Sequence, residues 1–300
     1  MLMEDKLLEE IKSKLINIMP KESEIDADFQ GIKFYRRNNT EKAHICMQSP
    51  CIIFVANGEK HTHISSEIFI FKKGYYNITY IDYPVSSYFH SISEDNPYLS
   101  VYMPVDNSVI TEIIKDINHI PAKIFKGISE SKADNKLLAA YSRLIDLHNK
   151  PDEISFMAQL IIKEIYYRIL SGPVGADLKA LYTFGSQSNK IYQAVEFIKN
   201  NYKEYLHIDD IASKVNMAPS TFFRNFKAIT MMSPLQYQKR LRLYEAQRLM
   251  LTESITASDA AYNVGYESIT QFTREYKKLF HSSPARNIKE IINGKAVPAQ

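Results

Sequence analysis

Cysteine is scarce: Cys46 and Cys51 are the only two in 300 residues, and their spacing is not that of a metal site. Reduced thiols are expected. No apolar run approaches the roughly 18 residues needed to cross a bilayer. The opening Met1-Leu2-Met3-Glu4-Asp5-Lys6 has no apolar signal core, so a cytoplasmic chain without membrane contact is expected. The nine glycines form no nucleophile-elbow, Walker or dinucleotide pattern. The common signatures of hydrolases and nucleotide-binding enzymes are therefore missing, and neither enzyme chemistry nor a cofactor is expected.

What is present is enough apolar residue, 45% of the chain, for two domains with cores. The net charge of +3 is unevenly spread. From Gln187 onward there are 16 Lys+Arg against 10 Asp+Glu, which leaves 21 against 24 upstream. A basic C-terminal third beside a slightly acidic remainder suggests one part that meets polyanions; an ordinary solvated surface is the alternative.

That basic third contains one pattern written twice. Ile211-Ala212 and Val215 precede Thr221-Phe222-Phe223-Arg224-Asn225-Phe226-Lys227 and then Ser233-Pro234. Ala260-Ala261 and Val264 precede Gln271-Phe272-Thr273-Arg274-Glu275-Tyr276-Lys277 and then Ser283-Pro284. Phe222 and Phe272, Arg224 and Arg274, and Lys227 and Lys277 are each 50 residues apart. Two copies separated by a long helix fit two helix-turn-helix units better than a solenoid. Ser233-Pro234 supplies an N-cap and a first-turn proline for that long helix, which should run to about Leu251. Ser268 and Gln271 have the spacing of a capping box in front of the second recognition helix.

Upstream, Leu7, Leu8, Ile11, Leu15 and Ile18 mark an amphipathic helix that ends at Pro20. Short β-branched and aromatic runs follow from about Ile32 to Val105, broken by Asn57-Gly58, Ser65-Ser66, Lys73-Gly74 and Asp95-Asn96-Pro97. They argue for a small β-barrel or sandwich, and a barrel of this size can hold one small ligand in its mouth. Helices return with Val109, Ile113, Ile114 and Ile117, then with Leu137, Leu138, Tyr141, Leu144, Ile145 and His148, then from Ile154 to Leu170. The stripe on the second of these is wide enough for a partner chain as well as its own domain, so a homodimer through these helices is expected there; internal packing is the alternative. Gly185-Ser186-Gln187-Ser188-Asn189 reads as a linker.

On the first recognition helix Phe222, Phe226 and Ile229 share an inward face, which leaves Ser220, Phe223, Arg224 and Lys227 outward. On the second, Phe272, Tyr276 and Leu279 are inward and Thr270, Thr273, Arg274 and Lys277 outward. Arginine takes the guanine edge bidentately, hydroxyls read several bases, and a lysine at the far end suits a phosphate.

The block from Met217 to Leu243, the block from Val264 to Lys278 and the joining Leu241, Ala246 and Leu249 resemble the DNA-binding region of AraC/XylS-family transcription regulators. Asn57-Gly58, Tyr83-Pro84-Val85, Asn96-Pro97-Tyr98, Lys163 to Arg168 and Gly185 to Ser188 extend the resemblance to the cupin-like arm of one branch of that family. It implies an α+β chain with a cupin-like β-barrel and helical appendage (residues 1–185) and an all-α double helix-turn-helix domain (residues 186–300). It also implies base reading by Ser220, Phe223 and Arg224, then by Ile269, Thr270, Thr273 and Arg274. The expected protein is a promoter-binding regulator, an activator, that answers a small-molecule effector and works with RNA polymerase. The chain departs from the family pattern at Met232 and at His281 or Ser282, where glycine is usual, at Ala218, which lacks the capping hydroxyl, and at Phe223, which is apolar.

Gly58, His61, His63, Glu67 and Gly74 resemble part of a cupin metal motif. A two-residue loop at Ser65-Ser66 pairs His63 with Ile68 and turns Glu67 to the other face; a three-residue loop pairs His63 with Glu67 and assembles a site. The expected effector contacts are His61, His63, Tyr76 and Tyr80. The sequence leaves two other readings open: a cupin-type metalloenzyme with a helical accessory domain, and an architectural protein that binds any duplex.

Overall fold

The computed structural model describes residues 3–27, 29–39, 44–115 and 126–293. Helix α1 (Met3–Ile18) buries Leu8, Ile11 and Leu15, the positions its periodicity marks. Nine strands follow: β1 (Ser23–Asp26), β2 (Lys33–Arg37), β3 (His44–Gln48), β4 (Cys51–Asn57), β5 (Glu59–Ile64), β6 (Glu67–Lys72), β7 (Tyr75–Thr79), β8 (Tyr83–His90) and β9 (Tyr98–Pro104). Then come α2 (Asn107–Ile114), β10 (Ile128–Lys132), α3 (Asn135–Asp146), α4 (Pro151–Ser171) and α5 (Gly175–Tyr182). Ile117, expected on the α2 stripe, lies outside the described residues.

The strands form two antiparallel sheets, β1-β2-β9-β4-β7-β10 and β3-β8-β5-β6. The expected barrel therefore appears as two open sheets, with no ladder between them among the described residues. Their inner faces share an apolar cluster, and the outer face of the larger sheet packs on helices. Strand β4 shows why no polar alternation appears in its sequence. Cys51, Ile53 and Val55 face the second sheet, Ile52, Phe54 and Ala56 face the helices, and every residue is buried. The chain changes sheets at Gly58, whose φ of +79° and approach to the Tyr98 backbone leave no room for a side chain: an added Cβ would lie 2.9 Å from Tyr98 Cα.

The α3 stripe is consumed inside the chain. Leu137, Leu138, Tyr141, Leu144 and Ile145 are all buried, and Tyr141 stacks on Phe54. Lys14 of α1 closes the outside by reaching Ser142 and Asp146, each at 2.7 Å. No apolar face of α3 remains for a partner. Exposed apolar residues lie instead on α4, at Phe156, Leu160 and Tyr167.

The C-terminal helices are α6 (Gln187–Asn200), α7 (Ile208–Lys214), α8 (Pro219–Thr230), α9 (Pro234–Thr252), α10 (Ala257–Asn263), α11 (Ile269–Phe280) and α12 (Pro284–Ile292). The expected linker is largely helix. Ser186 caps α6 by accepting from the Asn189 amide, so Gln187, Ser188 and Asn189 form its first turn. The helices also dock on the sheets. Ile191, Ile198, Phe226, Ile229 and Tyr237 share a cluster with Val55, Tyr83 and Phe89. Tyr83 Oη and the Gly127 amide both donate to Ile229 O, Tyr237 Oη donates to Asp82 O, and Lys199 pairs with the Asp82 carboxylate at 2.7 Å. None of the described helices is long and apolar enough to cross a membrane.

Candidate nucleic-acid interface

Helices α7 and α8 make one helix-turn-helix unit, α10 and α11 the other, and α9 joins them. Pro219 at the first turn sets the start of α8, where Ala218 supplies no side-chain cap. Ser233 and Gln236 cap α9 reciprocally. At α11 only half of the expected box forms. Ser268 accepts from the Gln271 amide, but the Gln271 side chain turns to Glu275. Each recognition helix ends on a left-handed residue where glycine would be easiest, Met231 (φ 60°) and His281 (φ 56°). The first departure from the family pattern thus falls on Met231, one residue before Met232.

The inward set is as the periodicity predicts for Phe222, Phe226 and Ile229 and for Phe272 and Tyr276, all fully buried. The third inward residue of α11 is Phe280, with Leu279 half-buried beside it. Outward, Ser220, Arg224 and Lys227 of α8 are exposed, and so are Thr270, Arg274 and Lys277 of α11. Phe223 is 45% exposed and Ile269 37%, while Thr273 is half-buried. Among the described residues, Arg224, Lys227, Arg274 and Lys277 make no ion pair or side-chain hydrogen bond.

Many of the other basic residues of this region are committed. Lys199 holds Asp82, Lys239 holds Glu275, Arg248 holds Glu245 and Arg286 holds Glu290. Arg242 of α9 donates to Tyr202 O, Lys203 O and Glu204 O after α6 and to Gly265 O before α11, at 2.6–3.0 Å. It fixes the second unit to the loop that follows α6. The clamp is not legible in the sequence, because its acceptors are backbone carbonyls.

A profile described as the N-terminus of AraC-type transcriptional regulators matches residues 28–177, and a helix-turn-helix domain profile matches residues 211–289. The chain belongs to the AraC/XylS family. It is a DNA-binding transcription regulator, and AraC-family helix-turn-helix domains bind promoter DNA. The lactose operon transcription activator of Staphylococcus xylosus is 24% identical over 232 residues, 75% of this chain and 76% of that one. The Msm operon regulatory protein of Streptococcus mutans is 23% identical over 210 residues, 69% and 73% of the two chains. Both are regulators by name. The structure of ToxT from Vibrio cholerae with a bound unsaturated fatty acid has the same fold, with a TM-score of 0.54 at 12% identity over 88% of this chain and 96% of that one.

In this AraC-family chain the four residues expected to contact an effector are not brought together. His61 and His63 stand on the outer face of the smaller sheet, against Tyr88, and His61 also bonds to Glu59 and stacks on His90. Tyr76 and Tyr80 are buried between the larger sheet and the helices. None of the four lines the cavity between the sheets. The β5–β6 loop has two residues, so His63 pairs with Ile68 and Glu67 pairs with Ile64. His63 and Glu67 therefore point to opposite faces, and the cupin metal arrangement is not assembled there. Cys51 is buried, which pushes its thiol up to about 12; Cys46 is exposed.

Proposed function

We propose that the protein reads a promoter through two unlike half-sites. Ser220, Phe223 and Arg224 on α8 meet one set of base edges, and Ile269, Thr270, Thr273 and Arg274 on α11 meet the other. Lys227 and Lys277 take phosphates at the far end of each helix. The observation that carries this reading is the placement of Arg224, Lys227, Arg274 and Lys277, without ion pairs among the described residues, at repeat-related positions on two exposed helix faces, while Lys239, Arg242, Arg248 and Arg286 are tied to carboxylates or carbonyls. An arginine held ready at a helix surface matches guanine O6 and N7, and helices held by α9 can enter successive major-groove segments about 34 Å apart.

Residues 1–185 serve as the effector-binding and self-association unit and residues 186–300 as the DNA-binding unit. A small-molecule effector acts by binding one arrangement of these units better than another. The fatty acid named with ToxT and the operons named with the two relatives fit such a response. Self-association would use the α4 face with Phe156, Leu160 and Tyr167, and RNA polymerase is the partner at the promoter.

Footprinting on a bound promoter tests the assignment. Arg224→Ala and Arg274→Ala should each cost about 1–3 kcal/mol and relax preference at a different base pair. Unchanged affinity and footprint in both variants would remove these residues from the interface.

A further inference from the structure

The cavity between the two sheets has a lining unlike a core. Its volume is about 350 Å3, the size of a small-ligand pocket. Alternate residues of β2 and β9 point into it, opposite Lys60 of β5 and Ser87 of β8. Three cations face it, Lys33, Arg37 and Lys60, against a single carboxylate, Glu24. Glu24 lies 2.8 Å from Lys33 and 3.7 Å from Arg37, so it is shared. Lys60 has no carboxylate partner among the described residues and lies over the Phe71 ring at 4.7 Å. Burial pulls the Lys60 ammonium below its ordinary value, and the Arg37 charge acts in the same direction. Tyr98 is 2% exposed, and its hydroxyl lies beside that of Ser100. Ser100 and Ser87 are buried beside it, and Ser87 also shares a hydrogen bond with Thr62 at 3.0 Å.

Three cations against one carboxylate in a cavity lined by buried hydroxyls are costly without a counter-ion and favourable around an anion that carries its own hydroxyls. We propose that this cavity binds a compact hydroxylated organic anion, a carboxylate or a phosphate monoester. Arg37 and Lys60 hold its acid group, and Tyr98, Ser87 and Ser100 take its hydroxyls. The inference rests on the effector-responsive reading above and gives that effector a chemical class. The position suits signalling as well, since Cys46 and Met47 of β3 line this cavity and also the cleft against Leu241 and Tyr244 of α9.

Calorimetric titration and thermal melting of the full chain with glycerate, gluconate, glycerol phosphate and glucose phosphate test it. Glycerol and glucose serve as the uncharged parents. At least one anion should bind saturably, with its parent and the Arg37→Gln variant each about tenfold weaker or more; the carboxylate and phosphate arms tell the two acid groups apart. Lys60→Met should also lose the anion while melting higher than the original protein when ligand-free, because an unpaired cation has been removed. Equal binding of the uncharged parents, no binding by any of the four anions, or a lower ligand-free melting temperature for Lys60→Met would overturn the proposal. A promoter footprint measured on the same samples separates the two readings. An intact footprint without anion selectivity removes only this site, whereas absence of any footprint removes the regulator reading.

Discussion

Met231 and His281 occupy the same place in the two repeats, each in the left-handed region after a recognition helix. A side chain there costs roughly 1–2 kcal/mol, part of which glycine returns as unfolded-state entropy. The two sites differ in what the side chain contributes. His281 is exposed, so His281→Gly should raise stability by about 0.5 kcal/mol in chemical denaturation. Met231 is half-buried and packs on the shared cluster, so Met231→Gly should gain less or nothing. Phe223 is also decided at this scale. Its 45% exposure leaves its ring on the outward face beside Arg224 rather than in the core.

Among the elements, the second helix-turn-helix unit is held by contacts that are specific and few. Gly265 has a φ of +91°, and an added Cβ would lie 2.1 Å from Lys203 O. Gly265→Ala should therefore push α11 off the Arg242 clamp and cost about 2–4 kcal/mol, with the loss of protection in hydrogen exchange concentrated in α10 and α11. Glu275 ties α11 to α9 through Lys239 at 2.9 Å and to Tyr266 at 2.8 Å. Burial acts to raise its carboxyl, but the hydrogen bonds from Lys239, Tyr266 and Gln271 outweigh burial and hold it below the ordinary 4.5. A depressed folded value stabilises above the unfolded value, and the contribution disappears as pH falls through the folded one. Glu275→Gln should thus lose about 0.5–1 kcal/mol at neutral pH, and the difference from the original protein should close in melts at strongly acid pH.

The elements also mark what the sequence makes legible. The α8 and α11 faces can be read because each is local: one helix period sorts Phe222 and Phe226 from Arg224 and Lys227. The cavity residues cannot be read that way. Arg37, Lys60, Ser87 and Tyr98 come from four strands, and only the register brings them together. Tyr76 and Tyr80 look like pocket residues in the sequence, but their strand parity turns them toward the helices. The β5–β6 hairpin lies between these cases, since its loop length was the single unknown and the pairing of His63 with Ile68 settles it.

Across the whole molecule, the sheets and the first helix-turn-helix unit are joined by buried contacts, while the second unit reaches the sheets mainly through α9 and Met47 of β3. The Asp82 side chain is 5% exposed and its partner Lys199 41%. Because Lys199 is partly solvated, Asp82→Ala should cost about 1–2 kcal/mol rather than the full penalty of a buried pair. Hydrogen exchange should quicken in α6 and α8 and stay unchanged in α12. The exposed face of α8 also lines an open cleft of about 720 Å3 whose far wall is Ser66, Glu67 and Lys126. The arm therefore stands beside α8, and the two repeats also differ in the residues on their exposed faces.

Selection of bound sequences from a random DNA pool, run in parallel for the original protein, Arg224→Ala and Arg274→Ala, tests the two-reader account most directly. The account predicts a motif of two different blocks about one helical turn apart, with each variant losing information from one block only. A pool without a motif, or the same motif lost equally in both variants, would contradict it.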